Sequence, residues 1–183
     1  MCRKPLIHLA SAVVVALGLA LVAQISLVWA AEPAPEFYDR LEQMHGHTCG
    51  GSLMGARLGF AARRALQEAG ATGKVKATYY DHSCPVDGIQ LAAGTTYGNR
   101  AIEVVDRDEH RLVLTPAEGP RVEARITESA LDRVKPSRAL AKEARKLPQG
   151  SPERAELERQ VAAIFDWLRT APESDVVVVR VLD

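Results

Sequence analysis

Between Gln43 and Gly51 the chain reads QMHGHTCGG, and from Asp81 to Gln90 it reads DHSCPVDGIQ. His45, His47 and Cys49 stand on alternate positions, with Cys84 in the second stretch, and these residue types hold zinc and its borderline-soft neighbours. An extended backbone sends alternate side chains the same way, so the first three donors would face a single ion. In a helix only His45 and Cys49 would share a face. Gly46, Gly50 and Gly51 argue against a continuous helix here. Both cysteines precede helical patterns, Cys49 directly before Gly50 and Cys84 in the cap position before Pro85. Free N–H groups and partial positive charge at a helix start favour thiolate, the form that binds metal or attacks. Asp81, His82 and Asp87 surround Cys84 as outer-shell or alternative ligands.

What those donors do depends on where the chain is delivered. Arg3 and Lys4 precede a long apolar run that ends at Val28-Trp29-Ala30, which reads as a secretory signal peptide over residues 1–30 with cleavage after Ala30. The competing reading is a retained anchor, because Leu9 to Ala31 is long enough to span a bilayer. Small residues at Ala30 and Ala31 and the lack of a basic stop-transfer cluster favour cleavage, export to a periplasm-like compartment and no membrane contact afterwards. Residues 31–36 are then a linker, and 37–183 are a single domain of about 150 residues. The whole chain has 23 basic and 23 acidic side chains, so no basic face points to nucleic acid. Cys2 leaves with the signal peptide. In an oxidising compartment the remaining pair, Cys49 and Cys84, makes a disulfide the default competitor to a metal site. A haem reading through His45 or His47 is weaker, since no C-x-x-C-H attachment motif is present.

The periodicities supply elements to position these residues. Glu36 to Met44 and Gly50 to Ala69 read as helices, the second carrying Gly51, Gly55 and Gly59 at a spacing of four. Interior glycine costs about 1 kcal/mol relative to alanine, so such a stripe suggests a second backbone approaching closely. Lys74 to Asp81 reads as a strand and Cys84 to Ala93 as a helix with proline in its first turn. IEVVD, RLVLT and RVEARI then suggest an antiparallel meander, with His110 as a solvent-facing strand residue. Leu131 to Leu147 is helix-prone but broken at Pro136. Ser151 caps a helix whose apolar face is Leu157, Val161, Ile164, Phe165 and Leu168. DVVVVRVL closes the chain as a strand suited to the middle of a sheet. The order indicates an α+β fold, a small antiparallel or mixed sheet packed with helices.

HGHTCGG, DHSCPVDGIQ and GTTYGN, in that order, resemble the motifs of the FmdE-like family of formylmethanofuran dehydrogenase proteins, typically H-G-H-x-C-P-G, D-x-C-x-x-D-A-I-Q and G-C-T-x-G-x-G-N. The resemblance covers roughly Phe37 to Arg125. It implies an α+β domain that binds a transition metal, often zinc, and that tends to form a homodimer. It aligns His45, His47 and Cys49 with the first motif, Asp81, Cys84, Asp87 and Gln90 with the second, and Gly94, Thr96, Gly98 and Asn99 with the third. Gly50 replaces the usual proline, Thr95 replaces the third motif's cysteine, and the C-terminal four-cysteine zinc module is missing. The family name does not carry over as an activity, because formylmethanofuran chemistry is cytoplasmic and belongs to molybdenum or tungsten proteins other than this chain.

Together these readings give an exported metal-binding protein whose ligands are His45, His47, Cys49 and Cys84, with zinc first and nickel, cobalt, iron or copper behind it. Gln90, Thr95, Thr96, Tyr97 and Asn99 are candidate pocket residues. Its partner would be a small molecule or a metal chelate. The alternatives are a metal-dependent enzyme with an open coordination position and a thiol protein with a Cys49–Cys84 bridge.

Overall fold

The computed structural model describes residues 33–183; the segment read as a signal peptide lies outside them. Helix α1 (Pro35–His45) leads into α2 (Gly50–Glu68), followed by β1 (Thr72–Tyr79), α3 (Pro85–Ala93), β2 (Ile102–Val104), β3 (Arg111–Glu118) and β4 (Arg121–Ile126). Then come α4 (Glu128–Val134), α5 (Pro136–Ala144), α6 (Pro152–Thr170), the short α7 (Glu173–Val176) and β5 (Val177–Leu182). The fold is α+β, with a mixed five-stranded sheet in the order β2-β1-β3-β4-β5.

Helix α2 lies across β3, β4 and β5 and packs along α3. In β4 the inward row Val122, Ala124 and Ile126 is buried, while Arg121 and Arg125 are exposed on the alternate positions. Leu53, Leu58 and Ala62 of α2 share one core with Leu112, Leu114, Val122 and Ile89. Arg57, buried in α2, donates to the carbonyl oxygens of Leu168 and Arg169 at 3.2 Å and also to that of Ala171. These bonds satisfy carbonyls that the end of α6 leaves without helical partners and fix that end against α2.

The glycine stripe does what its spacing implied. A methyl group at Gly55 would overlap the Pro85 carbonyl, and one at Gly88 would overlap the Ser52 carbonyl. One at Gly51 would stand 2.7 Å from Cys84 Cβ, and one at Gly59 would stand 2.7 Å from Ala92 Cβ. Helices α2 and α3 therefore meet backbone to backbone, and their N-terminal ends, with Cys49 and Cys84, are brought side by side.

Three expectations are corrected. The segment IEV does not join a meander: β2 runs parallel to β1, with Ala77 opposite Ile102 and Tyr79 opposite Val104, while β3 takes the other side of β1 in antiparallel register. The intervening α3 is the reason, since a helical crossover returns the chain to the same end of the sheet before the next strand begins. The C-terminal strand β5 is an edge strand, paired only with β4, and leaves Val178 and Val181 48% and 54% exposed. Four valines in a row read as central, but α6 and α7 deliver the strand to the outside of β4. Finally, Leu157, Val161, Ile164 and Phe165 of α6 are only partly covered, and Leu168 alone of that stripe is fully buried.

Gly55→Ala, like Gly88→Ala, should be among the most damaging single methyls in the helix pair, because the obstacle is a main-chain oxygen that cannot change rotamer. Overpacking costs about 1–3 kcal/mol, and the upper end is expected here. Denaturant unfolding of the variant against Gly98→Ala, where an added methyl meets nothing within 4 Å, measures the difference.

Candidate metal centre

The first donor is the last residue of α1. His45 closes that helix, and Gly46 at φ +85° turns the chain out of it, with its N–H donating to the Glu42 carbonyl at 2.7 Å. Thr48 donates to the Glu42 carboxylate at 2.9 Å and pins the turn. Cys49 then begins α2 as its N-cap, with extended dihedrals of φ −144° and ψ 161°. The alternating donors thus converge through a helix end, a glycine turn and a helix cap, not through an extended strand.

The convergence itself is clear. His45, His47 and Cys49 each offer a ligand atom within 4.8 Å of the others. The two imidazole rings lie 4.7 Å apart, and His45 Nε2 is 3.5 Å from Cys49 Sγ. Bonds of about 2.0–2.3 Å to a tetrahedral ion put neighbouring donors about 3.5 Å apart, so this edge already has the length the ion requires. His47 is exposed, whereas His45 and Cys49 are partly buried.

Behind the donors stands a chain of oriented groups. Asp87 Oδ2 lies 2.7 Å from His45 Nδ1, which leaves Nε2 directed at Cys49. The Gln90 amide donates to Asp87 Oδ1 at 3.3 Å, and its own carbonyl accepts the Tyr97 N–H at 2.8 Å. A carboxylate on the far nitrogen of a histidine is the usual device for fixing tautomer and ring orientation in a metal ligand. The residues present therefore fit a transition metal, with His45, His47 and Cys49 as nearest donors. An ion held there would supply Lewis acidity and a binding position for an external ligand.

The two thiols differ in charge preference. Burial works against the Cys49 thiolate, yet this thiol is lowered below its ordinary value: the Ser52 N–H donates to Sγ at 3.3 Å, and the Ser52 hydroxyl, the Cys84 thiol and His45 act in the same direction. Cys84 is raised, first by burial and then by the negative charge that Cys49 carries beside it. His45 is raised despite burial, because Asp87 and Cys49 both favour its charged form. The arrangement favours charge on Cys49 over Cys84, and neither sulfur is in a disulfide in this structure. Ser52 is a functional residue that reading the motifs alone does not single out. Its signal is C-x-x-S at a helix start, where the third helical residue bonds back to the cap and the Cys49 N–H meets the Ser52 hydroxyl at 3.4 Å.

An open cleft of about 390 Å³ adjoins the donors, lined by His45, His82, Ser83, Cys84, Val86, Asp87 and Val104. Cys84 is exposed there and lies outside the 4.8 Å donor set. His82 contributes to the wall, and Asp81 is drawn away toward His110, 3.6 Å off. Gln90, Thr95, Thr96, Tyr97 and Asn99 do not line this cleft. Gln90 is engaged by Asp87 and Tyr97, Thr95 is buried, and Tyr97 is 80% exposed in the loop after α3.

An α+β domain with a His/His/Cys cluster at the joined ends of two helices is a candidate metal-binding module. The family model described as FmdE, Molybdenum formylmethanofuran dehydrogenase operon, matches residues 44–178, and the chain belongs to that family. Among solved structures, a tungsten formylmethanofuran dehydrogenase FmdE-like protein from Syntrophus aciditrophicus is similar, with a TM-score of 0.54 and 21% identity. The match covers 81% of this chain and 71% of that one, and at this identity the likeness is one of fold. No curated protein sequence matches.

Asp87→Asn keeps the shape and removes the charge behind His45. Loss of such an outer partner costs about 10–100-fold in metal affinity. A weakening in that range is expected in competition titrations against a chromophoric chelator, with the circular dichroism spectrum unchanged.

Proposed function

We propose that the protein is an exported transition-metal-binding protein that carries, senses or delivers a metal ion or metal chelate. His45, His47, Cys49 and Cys84 are the ligands, and zinc is the first candidate. The observation that carries this reading is the convergence of three donors within 4.8 Å on a carboxylate-oriented histidine and a favoured thiolate. Two histidines and a thiolate match the chemistry of a borderline-soft divalent ion. Cys84, across the cleft mouth, completes a four-donor shell when its thiol gives up its proton on binding. The amino-terminal pattern supports export, and the open cleft supports approach by a small external ligand. Apart from Asp81, Asp87 and the histidines themselves, no separate general acid or base stands out among the described residues beside the donors, and on that ground we favour binding and delivery over turnover.

A second reading rests on the same contact between Cys84 and Cys49, since two thiols side by side in an oxidising compartment can close into a disulfide. One measurement separates the two: elemental analysis with a free-thiol count, on protein taken from the exported fraction without chelators or a histidine tag. About one metal per chain, with thiols reactive only after chelation, is expected. Absence of both metal and free thiol would establish the bridge and overturn the proposal.

A further inference from the structure

Helix packing brings Cys84 beside Cys49, but Cys84 has no side-chain cap bond of its own and is exposed, so the loop that leads into it also bears on where its thiol sits. The loop from β1 to α3 is tethered on its far side by a second polar cluster. Tyr79, the fully buried last residue of β1, places its hydroxyl 2.9 Å from His110 Nδ1. The same nitrogen lies 3.6 Å from Asp81 Oδ2, and Asp81 accepts from the Ser83 hydroxyl. Main-chain bonds run alongside: Tyr80 N–H donates to the Arg111 carbonyl at 3.1 Å, and Glu109 N–H donates to the Tyr80 carbonyl at 2.9 Å. The tethers on Tyr79, Tyr80 and Asp81 thus lead to the segment from Glu109 to Arg111, where β3 begins. His110 is therefore no solvent-facing strand residue, as its place in the sequence suggested; it is bound to the strand behind the loop.

We infer that His110 is a positioning residue for Cys84: through Tyr79 and Asp81 it fixes the Asp81-His82-Ser83 loop so that the Cys84 thiol stays against Cys49. His110 belongs neither to the donor set nor to the cleft lining. A buried tyrosine hydroxyl needs some partner for stability alone, but that requirement does not explain why its partner also faces Asp81, three residues before the cysteine. For metal binding the consequence rests on the reading above; for the geometry of the two thiols it does not.

The test uses His110→Gln and Tyr79→Phe in the full chain, with Cys84→Ser as the ligand-loss control. Val122→Ala, a core truncation in β4 remote from the loop, controls for lowered stability. The first readout needs no metal: the rate at which a short bifunctional thiol reagent bridges Cys49 to Cys84 in chelator-treated protein. It should fall at least five-fold in His110→Gln and Tyr79→Phe and hold in Val122→Ala. The second is cobalt(II) titration, read from the thiolate-to-cobalt absorption band. His110→Gln and Tyr79→Phe should lose about ten-fold in affinity, the cost of an outer-sphere partner, and their band should move toward that of Cys84→Ser. If bridging stays at the wild-type rate in both variants, or falls equally in Val122→Ala, the inference is overturned. If bridging falls as expected while the wild-type protein takes up no cobalt, positioning stands and the metal reading fails.

Discussion

The site depends on a contact that contains no ligand. Helices α2 and α3 touch through Gly51, Gly55 and Gly88 so closely that the carbonyls of Pro85 and Ser52 occupy the space side chains would take. Glycine lowers helix stability by about 1 kcal/mol per interior position, and that cost is offset only if the approach it permits is needed. What the approach provides is registry. Two helix starts arrive together, each headed by a cysteine, with Asp87 in the first turn of α3 facing His45 at the end of α1. Move the helices apart by a methyl group and the thiol contact, the carboxylate–imidazole bond and the shape of the cleft all change at once.

Electrostatics then separates two residues that the sequence presents as equivalent. Both cysteines lie at helix N-termini, where thiolate is favoured. Two adjacent thiolates would repel, however, so charge on one disfavours charge on the other. Cys49 is lowered despite burial because the Ser52 N–H donates to its sulfur at 3.3 Å, whereas Cys84 has no side-chain cap bond and is raised. His45, held between Asp87 and Cys49, is raised despite burial, because both neighbours favour its charged form. A divalent ion, were it held as proposed by His45, His47, Cys49 and Cys84, would be bound by deprotonated donors and would supply positive charge where Asp87 and Cys49 already favour it.

Much of this was legible in the sequence, and the failures share a cause. Local signals held: Gly46 ended α1, Ser151 capped α6, Pro136 split α4 from α5, and the four-residue glycine spacing announced a close helix neighbour. Non-local choices did not follow from them. Whether IEV would pair with β1 or β3, and whether a valine-rich strand would end central or at an edge, depends on crossover paths that no short window contains. The donors show the same division. Their identities and convergence could be argued from H-x-H-x-C, but His45 reaches its place as a helical residue, and the partner that orients it lies 42 residues away at Asp87. His110 was read as solvent-facing for the same reason, since its partner Tyr79 lies 31 residues back at the end of β1.

The candidate centre is asymmetric in a way that bears on how a metal would be handled. His45, His47 and Cys49 come from one continuous turn shaped by Gly46, Thr48 and the α2 cap, with Asp87 of α3 orienting His45. Cys84 comes from a separate, exposed position at the start of α3, placed by the α2/α3 contact and, in the inference above, by the loop's tether to the start of β3. In the proposed reading, the three-donor half is held by bonds that do not pass through the Cys84 side chain, so it would keep its shape whether or not Cys84 is engaged. A fourth donor on its own tether can leave without unfolding that half. In the proposed reading this is the architecture of an exchangeable site: the cleft lies on the Cys84 side, where an external ligand can take the fourth position as the thiol gives it up. A purely structural centre gains nothing from such a division, because closed shells draw stability from donors that cannot depart independently.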